Sequence, residues 1–109
     1  MSDSHLETTF LLACRALGLP EPEREFRFAV PRRFRADFRF GKVLVEIEGG
    51  EWTRGRHTRG RGFTADCIKY NLATLCGWRV LRFSGEMIRV DPLNCARQVA
   101  QLLGAEVTN

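Results

Sequence analysis

Asp37 is followed nine residues later by Glu46-Ile47-Glu48, and both stretches read as neighbouring β-strands. Three carboxylates stand where a small domain would rather place apolar side chains, and their surroundings are basic. Carboxylate oxygens are hard ligands suited to Mg²⁺ or Mn²⁺. Clustered acids repel one another, and a bound dication removes that cost. Acid set inside base is the arrangement expected where a divalent cation is held against a phosphate backbone, which points to metal-dependent phosphodiester hydrolysis. The same residues also fit a solvent-facing polar strand whose glutamates pair with nearby arginines.

The positive charge is carried almost wholly by arginine. Of 17 basic residues only Lys42 and Lys69 are lysines, against 13 acids, for a net charge of +4. Arginine presents a planar fork matched to phosphate, although a GC-rich coding bias also favours it. Arg32, Arg33 and Arg35 form one cluster, and Arg54, Arg56, His57, Arg59 and Arg61 a second. Both read as a nucleic-acid footprint, with Trp52 placed to stack on a base; a merely solvated basic surface is the alternative.

These residues need elements to position them. With 109 residues the chain is expected to be one domain, 1–109, around one core. Leu6, Phe10, Ala13/Cys14 and Leu17 predict a helix over 5–17, with Ser4 as N-cap and Glu7 completing a capping box. Gly18 stops it. Phe26, Phe28 and Val30 alternate, predicting a strand from Glu25 onward. Phe34, Ala36, Phe38 and Phe40 predict a second, and residues 43–48 a third. Gly41-Lys42 between them makes a hairpin turn. Residues 51–63 read as a long polar loop. Helical spacing resumes near 64, with Ile68, Leu72, Leu75 and Cys76 on its buried stripe and Asp66 as a candidate cap. Residues 78–83 predict a fourth strand, with Trp78 in the core, and Pro92 opens a last helix burying Leu93, Ala96, Val99, Ala100 and Leu103. The order is α-β-β-β-α-β-α, an α/β fold with a mixed four-stranded sheet flanked by helices.

Cys14, Cys67, Cys76 and Cys95 form no C-x-x-C pair, which argues against zinc, and they read as buried free thiols. The chain has no apolar run long enough to span a membrane and no basic leader, so a cytoplasmic location is expected.

Taken together, the stretches Leu6-Glu7, 20–26, 33–38, 45–50, 55–58, Gly62-Phe63 with Asp66, Lys69, Tyr70 and Asn71, and 77–83 resemble the PD-(D/E)xK nuclease superfamily. The similarity is to small phage- and prophage-type endonucleases and, more distantly, to very-short-patch-repair-like nucleases, and it covers roughly residues 6–90. It implies a restriction-endonuclease-like core and Mg²⁺-dependent cleavage of DNA, with Mn²⁺ as substitute and no organic cofactor. The processing, recombination or repair of phage or prophage DNA in a bacterial host would be the setting. Asp37 matches the family aspartate and Glu46 the acid of the (D/E)xK element, both as metal ligands. Glu48 stands where most members have lysine, a departure shared with E-x-E members, and would join the metal or the attacking water. Lys69 on the following helix is a candidate to supply the missing ammonium. Glu7 matches an additional metal-site acid on the first helix, and His57 is placed to act on water, leaving oxygen or phosphate. A homodimer cutting two strands is expected from size. Two other readings stay open: a binding module of the same fold that has lost cleavage, and a basic adaptor in phage packaging or recombination.

Overall fold

The computed structural model describes the backbone of residues 2–28, 34–49 and 51–108, and the side chains of 4–28, 34–49 and 62–104. Eight elements follow one another: α1 (Ser2–Ala16), β1 (Glu23–Arg27), β2 (Arg35–Phe40), β3 (Val43–Glu48), α2 (Glu51–Leu75), β4 (Arg79–Ser84), α3 (Gly85–Val90) and α4 (Pro92–Thr108). The strands form one sheet in the order β1-β2-β3-β4. β1, β2 and β3 pair antiparallel, while β4 runs parallel to β3. A parallel partner needs a crossover, and α2 provides it. The mixed four-stranded sheet and the order of its elements agree with the sequence reading, with α3 added.

β3 matches its expected bounds, and Gly41-Lys42 forms the tight turn, Gly41 holding φ 56°. Phe40↔Val43, Arg39↔Leu44 and Phe38↔Val45 set the hairpin register. β3 is apolar on both sides near its start because both faces of the sheet are covered there. Val43 and Val45 face one layer, with Leu6, Phe10, Phe38, Phe40, Phe83, Ile88 and Val99 from α1, β2, β4, α3 and α4. Leu44 faces the other, with Phe28, Ala36 and Ala73, and with Phe26, Leu72, Trp78 and Val80 at its edge. Trp78 thus lies at the margin of this second cluster, Phe26 edge-on to it at 5.3 Å and Lys42 Nζ 5.0 Å above its ring.

α1 and α2 both close on a glycine in the left-handed region. Gly18 has φ 77° and Gly77 φ 91°. Leu19 N donates to Cys14 O and Gly18 N to Arg15 O; Trp78 N donates to Ala73 O and Gly77 N to Thr74 O. Both are Schellman closures, which need a residue without a Cβ penalty at that position.

Several expectations are corrected. α1 begins at Ser2, so Ser4 lies in its first turn and accepts a bond from Thr8 Oγ1 instead of capping. β1 ends at Arg27 and does not reach Val30, which lies outside the described residues. Residues 51–63 are helix, not loop. They carry no apolar stripe for a periodicity argument to find, and their glycines read as breakers. Arginine is nevertheless a good helix former, and a glycine costs only about 1 kcal/mol in a helix. Because α2 starts at Glu51, Asp66 lies in mid-helix and caps nothing. Among the described side chains of α2 only Ala73 is fully buried, while Ile68, Leu75, Cys67 and Cys76 are exposed. The four-thiol expectation therefore holds for Cys14 and Cys95 alone; burial pushes the Cys14 thiol up to about 12. At the far end Leu17 and Leu93 are also more exposed than their spacing suggests.

α3 escapes a periodicity reading because six residues hold less than two turns. Its signals are caps. Ser84 Oγ accepts from Met87 N at 3.2 Å, and Asp91 Oδ1 accepts from Asn94 N at 3.1 Å to start α4 behind Pro92.

Candidate functional site

The sheet changes face once, at a point that matters for chemistry. Strict alternation would put Arg24 and Phe26 on one side. Instead Arg24 lies over the Phe38 ring in the α1 layer, while Phe26 packs with Trp78 in the opposite one. Glu25, between them, holds φ 50°. On β2 the same crossing falls between Phe38 and Ala36, that is, at Asp37. The β2–β3 ladder's last pair toward this end is Phe38↔Val45. Past it, the Ile47 amide donates to Asp37 Oδ2 at 2.7 Å. A carboxylate side chain thus takes a hydrogen bond that a regular ladder would give to backbone, and Asp37 is held against the strand carrying Glu46.

Glu46 points toward α2 and is 13% exposed. Lys69 Nζ approaches its Oε2 to 2.6 Å, with the lysine side chain 18% exposed. That oxygen is buried and, among the described residues, has no hydrogen bond, so the ammonium is its counter-charge. Tyr70 donates its hydroxyl to the Glu46 carboxylate. Burial pushes the Glu46 carboxyl above its ordinary value. The Lys69 and Tyr70 donors oppose that shift, and the Asp37 charge adds to it. Burial, with the Glu46 charge behind it, also raises the Tyr70 hydroxyl, which stays a protonated donor across the ordinary pH range.

One step further along β3, Glu48 Oε2 accepts from Arg82 Nε at 2.6 Å. Arg82 is on β4, where the parallel register sets it beside Glu46. Its guanidinium lies 4.3 Å from the Tyr70 ring centroid and 3.8 Å from Asp66 Oδ2. The Glu48 pair raises the Arg82 pKa further, so this cation is permanent. Lys69 Nζ is 5.4 Å from the same ring. Tyr70 therefore sits between two ion pairs, Lys69–Glu46 and Arg82–Glu48, touching both. Four carboxylates (Asp37, Glu46, Glu48, Asp66) and two cations converge on the α2 side of the sheet, at the C-terminal ends of parallel β3 and β4. Crevices at such strand ends are where open α/β sheets bind ligands.

Of the residues singled out in the sequence, Asp37, Glu46, Glu48 and Lys69 are brought together. Glu7 is not joined to them: it is bonded by Arg24, on the side of the sheet that α1 covers. Arg35 is exposed and pairs with Glu25 at 3.0 Å. Arg32 and Arg33 lie outside the described residues. Trp52, Arg54, Arg56, His57, Arg59 and Arg61 are on the first half of α2, and their side chains lie outside the described ones. Arg82 was missed. Its signal is a strand position: in Val80-Leu81-Arg82-Phe83 the alternation sends Leu81 and Phe83 to the main core and Arg82 to the face bearing Glu46 and Glu48.

The donor set can be tested against a divalent ion. Among the described residues, no three His, Cys, Asp or Glu side chains form a group that could hold a metal. Glu48 is held by Arg82, Asp37 accepts from the Ile47 amide and Glu46 faces Lys69, so the candidate ligands are the adjacent pair Asp37 and Glu46. Two carboxylates suit Mg²⁺, which keeps several waters and takes its remaining ligands from substrate phosphate. The buried, hydrogen-bond-free Oε2 of Glu46 is an oxygen a cation would satisfy. No helix among the described residues is long and apolar enough to cross a membrane. No family model matches this chain, and no curated protein or solved structure matches it either.

Proposed function

We propose that this chain is a divalent-metal-dependent DNA endonuclease of the PD-(D/E)xK kind. The observation that carries the reading is the 2.6 Å approach of Lys69 Nζ, from a helix, to Glu46 Oε2 on a strand whose neighbour supplies Asp37. Two strand acids and a helix lysine meet where the motif lacks its strand lysine. Asp37 and Glu46 would hold the ion, which when bound polarises the scissile phosphate and makes water acidic enough to attack.

The remaining work belongs to the chain. Tyr70 and the Ile47 amide fix the orientation of Glu46 and Asp37. Lys69 is a flexible point charge whose pKa is tunable, so it can donate to phosphate or hold a proton beside the water. Water oxygen attacks phosphorus, the P–O3′ bond breaks, and a 5′-phosphate and a 3′-hydroxyl result. Arginine supplies the affinity. Residues 51–61 carry four arginines against Glu51, and 29–33 carry two against none. The rest of the chain is slightly acidic, so the net positive charge is confined to these two segments. Binding through them is predominantly to phosphate and weakens steeply with salt. DNA is accordingly the partner of this reading, and processing, recombination or repair in a bacterial cytoplasm its setting.

The test is cleavage of supercoiled plasmid and of branched DNA in Mg²⁺. Asp37→Ala and Glu46→Ala are each expected to lose at least about a hundredfold in rate, and EDTA to abolish cleavage. Equal activity in wild type and variants, or none in any of them, would sink the enzyme reading. The Arg82–Glu48 pair favours one rival, a binding module without cleavage. It neutralises the position where a motif lysine would stand. That rival predicts salt-sensitive DNA binding with no cleavage.

A further inference from the structure

We infer that Lys69 is a built-in counter-ion that keeps a cation's place on Glu46 and is displaced when a divalent ion binds. This inference rests on the metal-dependent reading above and adds to it a state of the protein before metal arrives.

Glu46 Oε2 is buried with no hydrogen bond among the described residues. A buried carboxylate left without a counter-charge costs several kcal/mol. Lys69 Nζ, 2.6 Å away, offsets part of that cost as a counter-charge. The contact is electrostatic rather than directional, and a dication on the same oxygen replaces it with twice the charge.

The two cations of the cluster differ in how firmly they are held. Arg82 is tied to Glu48 at 2.6 Å, to Asp66 at 3.8 Å and to the Tyr70 face at 4.3 Å. Its charge cannot be discharged. Lys69 has a flexible four-carbon stem and a second resting place within reach, the Tyr70 ring 5.4 Å from its Nζ. Metal entry therefore moves Lys69 and leaves Arg82. The displaced ammonium stays beside the site, where the cleavage reading needs it.

This carries a signature that a simple supporting lysine would not give. Removing the Lys69 charge should tighten metal binding while it abolishes cleavage. The measurement is Mn²⁺ titration of the full chain, read as free Mn²⁺ by electron paramagnetic resonance. Lys69→Gln is expected to lower the Mn²⁺ Kd at least about fivefold, since a contact charge no longer competes. Lys69→Arg keeps a charge on the site and should bind no more tightly than wild type. Arg82→Gln should shift Kd less than about twofold, because Arg82 does not occupy the ligand position. Lys69→Met repeats the measurement should the glutamine variant not fold.

An unchanged or weaker affinity in the neutral variants overturns the inference; should wild type still cleave DNA, the nuclease reading survives it. Tighter Mn²⁺ binding by Lys69→Gln, with no cleavage by wild type, supports the counter-ion and ends the nuclease reading. No Mn²⁺ binding by wild type or variant at millimolar concentrations ends both.

Discussion

On one face of the sheet, α1, α3 and α4 bury Leu6, Phe10, Phe38, Phe40, Phe83, Ile88 and Val99 in a continuous apolar layer. On the other, the described part of α2 contributes one fully buried residue, Ala73, to a cluster of four, with Leu72 at its edge, and beside them Lys69 and Tyr70 face the strand acids. The two layers share the same strands. Leu44 and Glu46 lie on one side of β3, Val43 and Val45 on the other. A small domain has little stability to spare. Partly buried charge is tolerated on the α2 face because the opposite face supplies the packing. The comparison teaches that the fold and the candidate site are divided by the sheet, so their substitutions should separate into those that unfold the chain and those that silence it.

The most severe test of that division is Phe10→Ala. Phe10 is fully buried and meets Phe38, Phe40 and Phe83 with ring centroids 5.4, 6.2 and 5.9 Å away. Truncation leaves a cavity that these stiff rings cannot refill. The expected loss is about 3–5 kcal/mol in urea unfolding. A loss under about 1 kcal/mol would mean that the α1 face is not the main source of stability.

Glu46→Gln probes the opposite face and should act the other way. Burial raises the Glu46 pKa in the folded chain, so the folded state binds this proton more tightly than the unfolded one. For a group of that kind, stability is fully present below the unfolded pKa and is lost as pH rises through the folded one. Glutamine is never ionised and keeps an acceptor for Tyr70 and Lys69. The variant should therefore be at least as stable as wild type at neutral pH. The gain is of the order of one hydrogen bond, about 1 kcal/mol. It should vanish as pH falls into the ordinary carboxylate range. Urea unfolding at neutral and acid pH measures it, and a variant markedly less stable at neutral pH would mean that the Lys69 pair, not burial, dominates the energetics of Glu46.

How much of this was legible in the sequence follows the same line. The α1 face announced itself: Leu6, Phe10 and Cys14 at helical spacing, and Phe38 and Phe40 in alternation, all proved buried. Glycines at 18, 41 and 77 marked chain reversals because only a residue without a side chain takes their positive φ freely. Of the acids, Asp37 and Glu46 were visible as carboxylates on adjacent strands. What pairs them was not. The face switch at Glu25 and Asp37 is a backbone event with no residue signature, since Glu25 is not a glycine. Arg82 becomes a neighbour of Glu46 only once β4 is known to lie parallel to β3. The helix over 51–63 was hidden because Trp52 and Phe63, its large apolar residues, are too far apart to give a period to read.

Leu75 gives the finest division between the two regions. Its spacing with Ile68 and Leu72 reads as core, yet it is 82% exposed at the end of α2, while Ala73 two residues away is fully buried. An exposed leucine has little transfer energy left to lose. Leu75→Glu should therefore change stability by less than about 0.5 kcal/mol. Ala73→Glu at the buried neighbour should be severe, because no described partner stands ready for its charge. Thermal unfolding of the two variants side by side decides the point. If Leu75→Glu proves as costly as the change at Ala73, the outer face of α2 is covered in solution, and the thin layer seen here is only part of what protects that side of the sheet.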